Sequence, residues 1–238
     1  MSFRARRMLG VICLLAGIVV AIFQYYQASE TGLQGYEKPT QTETKDNNTS
    51  NARLALDLLS TIPVKGRAAK TNYSRTQFGD GWLREGSCDM RNVILNRDLA
   101  EAIVNDLCKV TKGTLIDPYT GTRIEFLRGN TTSDLVQIDH VVALSNAWQT
   151  GAQQLTADER IKFANDPLEL LAVDGKANQQ KADGDAATWL PSNKSFRCQY
   201  VARQIAVKAK YRLWVTEPER NAMQRVLAQC PGQLAPNS

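Results

Sequence analysis

The stretch Gln137-Ile138-Asp139-His140-Val141-Val142-Ala143-Leu144 contains the only histidine in the 238 residues. Imidazole, with an unperturbed pKa of roughly 6.5, is the side chain best suited to take and return a proton near neutrality. The chain therefore offers one obvious general base. Leu135–His140 reads as a β-strand, in which successive side chains face opposite ways. Asp139 and His140 can share a site only if the strand ends or bends at them. A lone strand-end histidine is more often packed and hydrogen-bonded than catalytic, so its neighbours decide the case.

Downstream, Ala157–Asn165 reads as a short helix that Pro167 ends. A second strand follows over Leu168–Val173, then an Asp174-Gly175 turn, then a helix from about Ala177 carrying Asn178 and Lys181. This is a β-β-α arrangement able to bring His140 against Asn178. Asp139 and Asn178 both offer oxygen ligands, which suit a hard divalent cation. Hydrolysis of a phosphodiester needs an activated water and a cation on the phosphate. Upstream, Ala52–Leu59 has helical spacing, and Tyr73–Trp82 is a Gly-rich loop with aromatic anchors. Asn96–Val110 is expected to be helical with Asn96 as N-cap, and Thr114–Phe126 to form a β-hairpin. Helices are expected over Phe196–Trp214 and Glu217–Leu227. The fold class is α+β with a small antiparallel sheet.

The stretches Ile138-Asp-His-Val-Val-Ala-Leu-Ser-Asn-Ala-Trp148, Arg160–Val173 and Ala177-Asn-Gln-Gln-Lys-Ala-Asp183 with Trp189-Leu-Pro191 resemble the HNH, or His-Me finger, endonucleases. The nearest likeness is to the branch found in secreted bacterial proteins and at the C-terminus of modification-dependent restriction enzymes. Cys88-Asp-Met-Arg91, Arg97-Asp98 and Asp117–Gly121 add weaker support. The resemblance covers most of the chain from about Tyr73 to Cys230. It implies a ββα-metal finger surrounded by helices, with His140 as general base and Asp139 and Asn178 as metal ligands. Lys181, one helical turn on, would meet phosphate, and Arg91 is a further candidate for a phosphate contact. Mg²⁺ is the implied cation, with Mn²⁺ as a substitute. The family usually has Asn where this chain has Glu169, at a position that braces the loop around the histidine. Glu accepts hydrogen bonds but does not donate as an amide does, and it adds negative charge near a polyanion. Reduced activity or altered metal preference is the expectation.

The formal charge of +5 includes Arg4, Arg6 and Arg7, which precede any acidic residue, leaving +2 for the remainder. Net charge alone thus does not announce a nucleic-acid binder. The basic run from Lys194 to Arg225 offers a face for a polyanion. Four cysteines follow Cys13 without a C-x-x-C pair, which argues against a structural zinc site and for two disulfides. Cys88–Cys108 and Cys198–Cys230 are the expected local pairings; the sequence leaves the other two open. Residues 1–28 carry arginines and then an apolar run from Met8 to Phe23, and read as a cleaved signal peptide or an N-terminal anchor. Residues 29–51 form a polar linker and 52–238 the endonuclease domain. Either N-terminal reading places that domain outside the cytoplasm, secreted or held on the outer face of the membrane. Membrane contact would come only through an uncleaved N-terminus. The expected partner is nucleic acid, DNA before RNA, cut with little sequence preference; no protein partner is expected. The competing expectation is an extracellular nucleic-acid-binding protein of weak catalysis.

Overall fold

The β-β-α pattern around the histidine is present. The computed structural model describes residues 53–129 and 133–237 together with Gln24. Along them run α1 (Ala55–Thr61), β1 (Arg84–Glu85), β2 (Cys88–Asp89), α2 (Met90–Asp98), β3 (Ala100–Val104), β4 (Val110–Ile116) and β5 (Arg123–Leu127). There follow β6 (Val136–His140), α3 (Leu144–Gln149), α4 (Ala157–Ala164), β7 (Leu170–Asp174), α5 (Gly175–Lys181), α6 (Arg197–Lys210) and α7 (Glu217–Leu227). The strands make three small antiparallel sheets, β1-β2, β3-β4-β5 and β6-β7.

The β6-β7 pair is buried on both faces, which is why Leu170-Leu-Ala-Val173 is apolar throughout rather than alternating. Val136, Ile138, Leu170 and Ala172 pack with Met90, Ile94 and Leu95 of α2. Leu171 and Val173 face the larger core around Tyr200, Val201 and Ile205 of α6. The hairpin is thus clamped between two hydrophobic clusters, and its register, His140 opposite Leu170 and Asp139 opposite Leu171, cannot slip without turning buried residues outward.

Both expected disulfides are formed, Cys88–Cys108 and Cys198–Cys230. The expected helix over Asn96–Val110 is not. Asp89, not Asn96, caps the helix, accepting from the Asn92 amide at 2.9 Å. The chain leaves the helix at Leu99 and enters β3. Local spacing in Leu99–Val104 suits a helix, but pairing with β4 wins because it buries Leu99 against Gly113. A Cβ there would come within 2.9 Å of the leucine side chain. The tie from Cys108 back to Cys88 also demands a reversal that a continuous helix would not make.

Much of the basic run of the C-terminal helices is spent within the fold. Lys208 is fully buried against Glu219, with N–O 2.8 Å. Arg203 donates to the carbonyls of Pro167, Leu168 and Leu170. Lys210 pairs with Asp166, and Arg212 with Glu159. Among the described residues no helix is long and apolar enough to cross a membrane. The apolar run Met8–Phe23 and the linker 29–51 lie outside the described residues.

The turn from β7 into α5 depends on one glycine. A Cβ on Gly175 would lie 2.1 Å from the Asp134 carbonyl oxygen, and that atom is backbone, which cannot swing aside. Gly175→Ala should cost about 1–3 kcal/mol and lower the melting temperature by at least several degrees. Gly66→Ala, where nothing lies within 4 Å, should leave it within about a degree. Thermal melts of the two variants beside the wild type check this.

Candidate active site

His140 ends its strand, and the next two residues, Val141 and Val142, bend away. That ending lets side chains from opposite strand faces meet one space. His140 points with Ile138 toward the α2 side, where its ring lies parallel to the Trp82 indole (interplanar 4°, centroids 5.9 Å). Asp139 points the other way, toward α5 and Tyr119. Both still line one chamber of about 250 Å³, together with Asn178, Ser145 and Asp183.

The His140 tautomer follows from its partner. Nε2 lies 3.0 Å from the Ala164 carbonyl oxygen, an atom that can only accept, so Nε2 carries the proton and Nδ1 is left as acceptor. Burial holds the imidazole pKa down to about 3, with further lowering from Arg75 and Lys181 against the raising effect of the Ala164 bond. The ring is therefore neutral throughout the physiological range.

Asp139 is buried and fully engaged. Lys181 Nζ donates to its Oδ1 at 2.9 Å and the Tyr119 hydroxyl to its Oδ2 at 2.5 Å. Burial first, then the neighbouring Asp139 charge, keeps that phenol protonated by raising its pKa well above the ordinary value. Lys181, whose side chain is wholly inaccessible, also donates to the His140 carbonyl at 2.8 Å. Its ammonium does not reach the chamber surface. Asn178 donates its amide N–H to Gln137 Oε1 at 2.9 Å, which leaves its Oδ1 as the free end. The helix cap is Asp174, which accepts from the Ala177 amide at 2.7 Å. Arg91 is not brought to the site. It reaches toward the Val136 carbonyl at 3.4 Å, four residues down the strand from His140.

Glu169 sits opposite the bend. Its side-chain oxygens accept from the Val142 amide at 3.1 and 3.2 Å, and its backbone carbonyl accepts from Val141. It is 0% exposed, and desolvation raises its pKa well above the usual carboxyl range, against lowering by the Val142 bond and Lys181. Burial therefore works against the charged form of the carboxyl at this position.

A second chamber of about 270 Å³ opens on the other side of His140, walled by Trp82, Phe78, Gly79 and Ala164. Arg75, His140 and Leu144 line both chambers. Arg75 is exposed, is the only lysine or arginine among the described residues lining either space, and its side chain makes no ion pair or hydrogen bond with another described residue. Its short 3₁₀ turn, Arg75–Phe78, is fastened to α4 because Arg160 donates to the Gln77 carbonyl and side chain. Sequence reasoning missed Arg75; its only signal was its place in the aromatic, Gly-rich stretch Tyr73–Trp82.

With this geometry in view, a family model described as the C-terminal domain of GmrSD restriction endonucleases matches residues 90–226, more than half of the chain. The chain belongs to the GmrSD C-terminal domain family. An uncharacterized secreted protein of Arthroderma benhamiae is 36% identical over 185 residues, covering 77% of this chain and 88% of that protein. No solved structure matches. Membership agrees with the HNH resemblance and gives the chain a nuclease-related ancestry. The matched segment of this GmrSD-type domain starts at the first residue of α2 and closes within α7. It contains His140, Asp139, Glu169, Asn178 and Lys181, while Arg75 and Trp82 lie before it.

Divalent-metal fit rests on the donors. Among the described residues no cluster of three or more His, Cys, Asp or Glu side chains forms a metal cage. Asp139 and the free Asn178 Oδ1 face one open polar chamber. Mg²⁺ keeps several waters and is commonly bound by one or two carboxylates plus substrate phosphate; here it would have to share Asp139 with the Lys181 ammonium and the Tyr119 hydroxyl that already hold both carboxylate oxygens.

The upward pKa shift of Glu169 has a measurable sign. A carboxyl whose folded pKa is raised costs stability as pH climbs above the unfolded value near 4.5, because only the unfolded chain then ionises. Glu169→Gln should be more stable than wild type at pH 8, with the margin shrinking toward zero as pH falls to 5. Urea denaturation across that range reads it directly; equal stability at every pH would mean an ionised Glu169.

Proposed function

We propose that the protein is a metal-dependent endonuclease that hydrolyses phosphodiester bonds of DNA, and of RNA as a second substrate, with little sequence specificity. The observation that carries this reading is the buried, neutral His140 with Nε2 tied to the Ala164 carbonyl and Nδ1 left as acceptor. In the proposed reaction a water gives its proton to Nδ1 as its oxygen attacks phosphorus, and the P–O bond to the leaving oxygen breaks. The approach of an anionic phosphate raises the basicity of the ring at the moment it is needed. Arg75 holds the phosphate, the part the sequence suggested for Lys181 or Arg91. Lys181 is a positioning residue, fixing the Asp139 carboxylate and the His140 carbonyl. Asp139 and Asn178 would hold Mg²⁺ or Mn²⁺, which when bound neutralises charge developing on the phosphate and leaving oxygen. Export from the cytoplasm fits the two disulfides, the basic-then-apolar N-terminus and the secreted name of the relative.

One observation favours a rival. The Lys181 ammonium occupies Asp139, which weakens its hold on a cation and would suit a protein that binds nucleic acid without cutting it.

Plasmid nicking by the oxidised protein separates the two. Cleavage should require Mg²⁺ or Mn²⁺, stop in EDTA, and fall to background in His140→Ala. Arg75→Ala should lower the rate about a hundredfold, as loss of one preorganised donor to a developing charge does, and Arg75→Lys should restore part of it. A folded wild type that retards plasmid but fails to nick it with either metal would establish the rival.

A further inference from the structure

The two chambers beside His140 differ in chemistry. The polar one holds Asp139, Asn178 and Asp183. The other has an aromatic and aliphatic wall built from Phe78, Trp82, Leu144 and Ala164, with Asp80 at its edge. We propose that this second chamber is a nucleobase subsite, which makes single-stranded nucleic acid the preferred substrate. The proposal rests on the nuclease reading above and goes beyond it.

Four features of the chamber support it. At about 270 Å³ it falls just under the range of pockets that take drug-sized ligands, a size for one base and not for a base pair. Trp82 is half-buried and offers an indole to a base, whose π-face stacks on aromatic rings whatever its identity. Asp80 is exposed and makes no ion pair or hydrogen bond with a described residue. A free carboxylate repels a phosphate chain but accepts from the amino groups that bases carry, so this side of His140 suits bases rather than backbone. Finally, Arg75 lines both chambers with His140. A phosphate held there has the polar chamber on one side and the aromatic chamber on the other, as a phosphate flanked by its nucleoside requires.

The chamber is also preformed. The Leu83 amide donates to Asn165 Oδ1 at 2.8 Å, fixing the loop behind Trp82. Phe78 is wedged against Trp148 and Phe163. A base inside a duplex could enter only by being unpaired and unstacked, whereas a single strand enters at little cost.

Anisotropy of a short labelled oligonucleotide with the full oxidised chain in EDTA tests the subsite without needing cleavage. The intact single strand should bind about tenfold or more tightly than its duplex and than the same strand made abasic, the loss expected when base stacking is removed. Thr76→Phe fills the chamber from an exposed position on its rim. It should bring single-strand affinity down to the abasic level, as should Trp82→Leu with its fold verified by circular dichroism. Duplex binding as tightly as single strand, abasic strand binding as tightly as intact strand, or Thr76→Phe leaving affinity unchanged would each overturn the subsite. The same strands are then scored for cutting in Mg²⁺. Single-strand preference without cutting refutes the nuclease reading and leaves the base subsite standing. Equal affinity with cutting of both forms does the reverse.

Discussion

The ion pair between Lys181 and Asp139 is the constraint on which the site depends. A wholly buried ammonium joins the last turn of α5 to the end of β6, and its second bond goes to the His140 carbonyl. One side chain thereby fixes the two ends of the ββα unit relative to each other. Two buried charges are tolerable only when each is paired and hydrogen-bonded, and Tyr119 supplies the remaining donor to the carboxylate. The backbone beyond His140 is held just as completely. The Val141 and Val142 amides go to Glu169, and the Val141 carbonyl receives Gln204. The bend that lets Asp139 and His140 address one chamber is therefore locked by side chains from three other elements, β7's approach, α5 and α6.

Much of this was legible in the sequence, and the misses share a cause. The two strands, the helix start after Asp174-Gly175, the local disulfides and the C-terminal helices follow from periodicity, turn residues and cysteine spacing, all local signals. The Asn96–Val110 helix failed because pairing with β4 and the close approach of Leu99 to Gly113 are long-range events. The same holds at the site. Chain spacing placed Lys181 one turn beyond Asn178, but not whether its ammonium faced inward or out. Arg75 comes from a segment 65 residues before His140 in the chain, and no local pattern announces that the two will share a wall.

Glu169 shows how burial changes what a residue type means. Read as a letter, it puts a negative charge where the family has an amide. Enclosed and desolvated, it accepts from the Val142 amide, and burial works against its charged form. The expectation of added repulsion toward a polyanion pictured a solvated carboxylate, whereas this one is wholly buried, where the charged form is disfavoured.

Charge distribution leads to a related point about how such a site would hold a substrate. Lys208, Arg203, Lys210, Arg212, Arg97 and Lys109 all spend their charge on protein partners. Much of the basic C-terminal run is thus mortar for the fold, and among the described residues lining the two chambers beside His140, Arg75 is the one cation. On the proposed reading, contacts within these chambers would release few counterions and add little salt dependence. Affinity would then have to come from contacts to something other than the phosphate chain. The aromatic chamber next to Arg75 is the surface in the cleft able to supply such contacts. The scarcity of free positive charge and the presence of that chamber are two sides of one arrangement.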